Sequence, residues 1–106
     1  MNMLSQRAET AREERHRVIL EAGLKLAERD GWGAITRDGV ARAAEVADGS
    51  VNHAFGTIEG LRNAVMIEAV ARRIVSIVAT GLVVGHPAAR DAPDDLKREA
   101  ALSTVG

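Results

Sequence analysis

Between Thr36 and Leu61 the chain reads TRDGVARAAEVADGSVNHAFGTIEGL, a pattern that predicts two short helices joined by a tight corner. The second helix shows Ser50, Asn52 and His53 outward, in place of the charged mixture of an ordinary solvated face. A helix held at such an angle on a rigid support can enter the major groove of DNA. We therefore expect a helix-turn-helix element here, with the rest of the chain as its support.

The ends of these helices carry recognisable signals. Thr36 is a good N-cap for a helix that runs to about Ala44, because its hydroxyl can accept a hydrogen bond from a first-turn amide. Residues 45–47 form the corner, and the next helix runs from about Asp48 to Ala54. Gly56 then breaks the chain, and Thr57 can cap a fourth helix.

Helical periodicity also extends on both sides of this segment. Residues 1–10 are interpreted as a flexible tail, and a first helix with one apolar stripe begins at Ala11 and stops at Gly31. The fourth helix, about 58–80, is apolar over more than half of its circumference, so it needs partners on two sides. Pro93 and the acidic residues after it indicate a short C-terminal helix.

The expected fold is therefore all-α. A three-helix helix-turn-helix domain, residues 11–56, precedes a long fourth helix and a short C-terminal helix. Residues 57–106 are assigned to dimerisation. The composition agrees, because 46% of the 106 residues are hydrophobic but only 2% are aromatic, which suits close-packed helices filled by small aliphatic side chains.

Composition and charge also limit the function. The chain has no cysteine, which excludes disulfides and cysteine-ligated zinc. Its formal net charge is −1, so any affinity for DNA must come from locally placed cations, helix N-termini and base contacts. No signal peptide and no apolar run of bilayer length is visible, and we expect a cytoplasmic protein without a membrane partner.

Signals for catalysis or bound metal are missing from the sequence. His16, His53 and His86 lack metal-ligand spacing, and the segment from Gly56 to Gly60 lacks the lysine that ends a phosphate-binding loop. No Ser-His-Asp grouping lies in a credible context. The sequence therefore predicts no metal, no cofactor and no enzymatic activity.

The span from Arg17 to Val65 resembles the DNA-binding domain of the TetR family of repressors. The fragments that carry the resemblance are ILEAGLKLAERDGW, TRDGVARAA, EVADGSVNHAF and GTIEGL, in that order and without gaps. Members of that family usually have glycine at the corner, a hydroxyl cap on the recognition helix, an aromatic residue inside it and a lysine opening the fourth helix. This chain has Glu45, Ala47, Asn52 and Ile58 at those positions.

The helix-turn-helix pattern and the resemblance together predict a set of DNA-binding residues. Asparagine suits adenine, while serine and histidine suit bases or phosphates. Asp48 either caps its helix or accepts a hydrogen bond from cytosine. The alternatives are a solvated face for the third helix, a merely solvating Arg42 and a plain helix cap at Thr57. The predicted DNA-binding set is Thr36, Arg37, Arg42, Asp48, Gly49, Ser50, Asn52, His53 and Thr57.

The predicted function is that of a sequence-specific repressor that binds a palindromic operator in double-stranded DNA as a homodimer. Family members carry a longer C-terminal domain that senses an effector, and this chain stops soon after the fourth helix, so no small-molecule effector is expected. The predicted dimerisation residues are Ile67, Val70, Ile74, Val75, Val78, Leu82 and Leu96.

Two other functions remain open at this point. The first is a protein-interaction module that has lost DNA contact, which Ile58 and the acidic balance favour. The second is an effector-sensing regulator with a pocket at the dimer interface, between Ile67 and Val84. Substitution of Asn52 or Arg37 by alanine separates the first from a repressor, and a ligand-dependent rise in melting temperature tests the second.

Overall fold

Every secondary-structure element is helical within residues 3–103, the part of the chain that the computed structural model describes. This confirms the all-α fold class. A 3₁₀ turn at Trp32–Ala34 separates the first two helices. The α-helices are α1 (Met3–Asp30), α2 (Arg37–Ala44), α3 (Asp48–Phe55), α4 (Ile58–Ala71), α5 (Val75–Val84), α6 (Pro87–Arg90) and α7 (Asp94–Ser103).

The first four helices share one aliphatic core. Ile19 of α1, Val40 of α2, Val51 of α3 and Leu61 of α4 are each completely buried. They lie on the apolar stripes that the sequence predicts, and burying such stripes against one another is the main source of stability for short helices. The core thereby fixes α3 on the support of α1, α2 and α4.

The corner between α2 and α3 lies where it was predicted. Glu45 adopts the left-handed conformation, with φ 59° and ψ 44°, and ends α2. The backbone amide of Val46 donates a 3.0 Å hydrogen bond to the carbonyl oxygen of Ala41, and its side chain packs against the core. Glycine would adopt this backbone conformation without the steric penalty that Glu45 accepts.

The first helix is longer than expected. It begins at Met3 rather than Ala11, so it runs through the predicted boundary between tail and domain. Residues 6–17 are all exposed, and a helix that projects into solvent can keep polar residues on every side. No helix within residues 3–103 combines the length and apolar character needed to cross a bilayer.

The predicted fourth helix is divided in two. α4 ends at Ala71, α5 begins at Val75, and Arg73 between them has a positive φ of 58°. The apolar pattern continues through the break. Periodicity alone therefore predicted one continuous helix, whereas the chain turns back between Ala71 and Val75. The bend lets both apolar sides find partners within one protomer.

The segment after the bend packs closely on α4. Gly81 of α5 lies so near that a Cβ there would be 2.6 Å from the Sδ of Met66 and 2.7 Å from the Cβ of Ala89. The short helix α6, which the sequence did not predict, is capped by Nδ1 of His86, which accepts a hydrogen bond from the amide of Ala88 at 3.1 Å. Leu102 of α7, a possible member of the predicted stripe, is 67% exposed.

Two of the predicted dimerisation residues lie in the protomer core. Val78 and Leu96 are both 0% exposed, because the bend turns α5 and α7 inward. In this conformation their side chains offer no surface to a second chain, and their part in dimerisation stays a prediction. The other five are exposed or half-buried: Ile67, Val70, Ile74, Val75 and Leu82.

Candidate nucleic-acid interface

Helix α3 buries one side and exposes the other. Val51 is buried in the core, Gly49 and His53 are exposed, and Ser50 and Asn52 are half-buried. The side chain of Asn52 makes no hydrogen bond within residues 3–103. Its amide therefore keeps both donors and its acceptor available at the protein surface.

The N-terminus of α3 differs from the prediction in one respect. Ala47 is the N-cap residue, and no side chain caps the helix. Asp48 is the first helical residue and is exposed, so it does not perform the capping role that was one of its two predicted alternatives. Its carboxylate still complements the positive end of the helix dipole.

The N-termini of α2 and α4 open onto the same depression as α3. Thr36 and Thr57 cap these helices in the same way, each hydroxyl accepting from an amide three residues on, at 3.0 and 3.1 Å. The residues around the depression include both threonines, Arg37 and Asn52. Four predicted residues from three helices are therefore brought together, beside helix ends whose amides favour anions.

Arg62 also borders this depression, and the sequence gave no sign of it. Its Nε donates a 3.1 Å hydrogen bond to the carbonyl oxygen of Ile35, and its Nη1 lies 2.8 Å from Glu59. This partly buried contact joins α4 to the residue just before Thr36. Arg62 therefore fixes the two helix N-termini relative to each other.

The two arginines predicted on α2 have different surroundings. Arg37 is exposed, borders the depression and has no ion-pair partner within the described part of the chain. Arg42 pairs with Asp38 at 2.6 Å, one turn earlier on the same helix, and does not border the depression. An exposed cation already paired within its own helix has less charge to offer a phosphate.

The charged part of α1 lies beside α3. The ring of His16 packs on Phe55 with 4.0 Å between centroids, and a hollow next to this contact is lined by Arg12, Arg15 and His53. Both arginines lie next to the exposed face of α3 and neither forms an ion pair among the described residues, although Glu13 lines the same hollow.

One nearby arginine is already neutralised by its own helix. Arg17 donates to Glu14, and this hydrogen bond holds the pKa of the Glu14 carboxyl below its usual value. Further along α1, Glu21 accepts from Arg72, and this hydrogen bond lowers the pKa of Glu21. Arg12 and Arg15, toward the start of α1, are thus cations beside α3 that are not paired within their own helix.

Comparison with known families agrees with this geometry. Residues 19–65 match the family of bacterial regulatory proteins, tetR family. These residues are a TetR-family DNA-binding domain. The match covers the second half of α1, all of α2 and α3, and α4 as far as Val65. No curated protein and no solved structure matches the chain significantly.

The family match indicates that the general role of this helix-turn-helix is DNA binding. The matched family consists of DNA-binding transcription regulators, and residues 19–65 carry its helix-turn-helix domain. The position at which the family usually has lysine holds Ile58, whose side chain is half-buried and packs against the core. Its apolar character therefore has a structural cause in this protein.

Proposed function

We propose that the protein is a transcriptional repressor that binds a palindromic operator as a homodimer. In this proposal α3 enters the major groove and the N-termini of α2 and α4 meet the phosphate backbone. Repression follows from occlusion of a promoter. Residues 57–106 provide the contacts between protomers.

The observation that carries the proposal is the free amide of Asn52 between two helix N-termini. A side-chain amide can form two hydrogen bonds to adenine, at N6 and N7. The backbone amides in the first turn of a helix can bind phosphate oxygens. Arg37, exposed and without an ion-pair partner among residues 3–103, lies on the same depression. Base contact and backbone contact would thus come from one small surface. Ser50, His53 and Gly49 would complete it.

Dimerisation supplies the second half of the operator. A two-fold pair of TetR-type domains presents two recognition helices to successive major grooves, about 34 Å apart. Partly exposed aliphatic side chains on α4 and α5 support such a contact, and Ile67 is 59% exposed. The remaining members of this proposed interface are Val70, Ile74, Val75 and Leu82.

Selection from a random duplex pool at moderate salt tests the proposal. The expected result is an enriched inverted repeat with half-sites about one helical turn apart. Arg37→Ala should weaken binding to that sequence, whereas Arg98→Ala, an exposed arginine on α7, removes the same charge and should not. Weak, salt-sensitive retention without enrichment would contradict sequence-specific recognition.

The two other functions predict different results. A protein-interaction module would keep its partner when Asn52 is replaced and would enrich no sequence; its main support, Ile58, is explained by packing. An effector-sensing regulator with a pocket between Ile67 and Val84 would show a ligand-dependent rise in melting temperature. Neither has an observation in its favour comparable to the surface around Asn52.

A further inference from the structure

The bend between α4 and α5 is made without a residue that favours it. No glycine or proline occurs between Gly60 and Gly81, and the apolar pattern of the helix runs through the bend. The turn depends on Arg73, a non-glycine residue with φ 58°. L-residues adopt this left-handed conformation only at a steric cost. The alternative for Arg73 is ordinary helical backbone, which would join α4 to α5.

The contacts that the bend closes are specific pairs between two units of the chain. Gly81, which has no side chain, leaves room for the side chain of Met66. Asn63 Oδ1 lies 2.9 Å from Nε2 of His86. The indole of Trp32 meets the ring of His86 edge-on at 5.7 Å. Each pair joins α1–α4, or the turn after α1, to the segment α5–α7. A second copy of the chain could supply either member unchanged.

Ion pairs at the surface stabilise the bend. Arg72 binds Glu21 of α1 and Glu68 of α4, and Arg73 binds Asp95 of α7. The side chains of these pairs are all about a third exposed or more, which leaves them in contact with solvent. Exposed pairs contribute little to stability, so they oppose the steric cost at Arg73 only weakly.

Straightening the bend would also create a new apolar face. Ile67, Val70 and Ile74 recur at three- and four-residue spacing, which places them on one side of a continuous helix. In the bent protomer Ile67 is 59% exposed and the other two are half-buried. Two straight helices crossing at the former bend could bury these residues against each other.

We propose that the homodimer forms by exchange of α5–α7 between two copies. In the exchanged form α4 and α5 make one helix from Ile58 to Val84, about 40 Å long. The segment α5–α7 of each copy packs on α4 of the other, and Val78 becomes buried between chains. The occupant of the surface is a second copy because every contact it needs already exists within one chain. The inference rests on the homodimer of the proposed function.

Cross-linking distinguishes an exchanged dimer from a dimer of bent protomers. The chain has no cysteine, so the double variant Asn63→Cys, His86→Cys carries the only two thiols. The dimer fraction is isolated by size exclusion, treated with a short bifunctional maleimide and run on a denaturing gel. Exchange gives covalent dimers. Glu14→Cys, Arg17→Cys is the matched control, since both sites lie on α1, and it gives monomers in either case.

A pair of variants at the bend tests whether the steric cost at Arg73 favours the exchanged dimer. Arg73→Gly removes the steric cost of the bend, so it should raise the dimer dissociation constant by at least about fivefold per chain. Arg73→Ala keeps that cost and loses only the pair with Asp95, so it should leave the dimer at least as stable. The readout is sedimentation equilibrium over a concentration series.

Two results would overturn the exchange. One is monomer-sized product from the double-cysteine dimer, and the other is a chain that stays monomeric at every concentration. The first leaves the repressor proposal intact if the duplex pool still yields an inverted repeat, because the protomers then dimerise by surface contact. The second, with a single half-site from the pool, removes the homodimer itself while keeping sequence-specific binding.

Discussion

Arg62 donates a hydrogen bond from Nε to the carbonyl oxygen of Ile35 at 3.1 Å, across 27 positions of sequence. Ile35 is completely buried and immediately precedes Thr36, the cap of α2. The bond therefore determines how the N-termini of α2 and α4 face one another. In the proposed complex these two ends meet the phosphate backbone, whose spacing is fixed, so their relative position should control binding.

Replacing Arg62 should reduce the free energy of operator binding by more than it reduces the free energy of unfolding. Arg62→Ala leaves a buried carbonyl without its partner and should lower the free energy of unfolding by about 1–3 kcal/mol. We expect operator affinity to fall as well, because the two helix N-termini lose their common anchor. Fluorescence anisotropy and urea unfolding measure the two effects separately.

The matched control for that experiment is Glu59→Gln. It removes the exposed ion pair with Arg62 but leaves the bond to Ile35 in place. We expect little change in either measurement. Equal loss of affinity in both variants would mean that charge near the depression, and not the position of the helices, controls binding.

Glu45→Gly should stabilise the protein. Glu45 has φ 59° at the end of α2, a conformation that glycine adopts freely and that costs other residues about 1–2 kcal/mol. Part of the gain is offset by the greater freedom of glycine in the unfolded chain, so the expected increase is about 0.5–1 kcal/mol. Glu45→Ala keeps the steric cost and is the control. Urea denaturation checks both, and equal stabilities would contradict the backbone explanation.

Gly81→Ala should destabilise the contact between α5 and α4. A Cβ at this position would lie 2.6 Å from the Sδ of Met66 and 2.7 Å from the Cβ of Ala89, so the helices must separate. Overpacking of this kind costs about 1–3 kcal/mol. Gly33→Ala is the control, because nothing lies within 4 Å of its added Cβ. Thermal unfolding that is equally unchanged in both would mean that Met66 can move aside.

Sequence predicted the features that depend on neighbouring residues. The caps at Thr36 and Thr57, the corner after Ala44 and the start of the C-terminal helix each follow from signals within a few positions. The apolar stripe of α1 could be predicted for the same reason. In the site, Asn52 could be named because a helix-turn-helix exposes known positions of its second helix, and Arg37 because it lies at the N-terminus of the first.

Features that depend on distant contacts could not be predicted. The bend at Arg73 has no local sequence signal, because the segments on both sides of it are helical. What favours the bend is a distant contact, the packing of Gly81 on Met66. That is why Val78 was assigned to a dimer surface although it lies in the core. Arg62 was missed for a similar reason, because its partner is a backbone carbonyl in another element.

Gly49→Ala should separate stability from DNA binding. Gly49 is exposed in the first turn of α3, and a Cβ there meets nothing within 4 Å. Alanine in a helix is favoured over glycine by about 0.5–1 kcal/mol, so the folded state should become slightly more stable. If α3 enters the major groove as proposed, the added methyl group lies at the close approach to DNA and should reduce operator affinity. Unchanged affinity would place the DNA surface elsewhere.

The stability that depends on Glu21 should disappear in acid. Its hydrogen bond from Arg72 lowers the pKa of the Glu21 carboxyl below the ordinary 4.5, so the folded state binds its proton less readily than the unfolded state. The contribution is therefore fully present above about pH 4.5 and is lost as the pH falls through the lowered pKa. Wild type and Glu21→Gln should differ in unfolding free energy at neutral pH and converge in acid.

The control for this pH dependence is Glu28→Gln, which removes an exposed carboxylate from the same helix and has no ion pair among the described residues. Its unfolding free energy should follow that of wild type through the whole pH range. Raised salt should reduce the difference between Glu21→Gln and wild type at neutral pH, since the Arg72 pair is partly exposed. A difference that persists unchanged in strong acid would mean that Glu21 acts through packing and not through its charge.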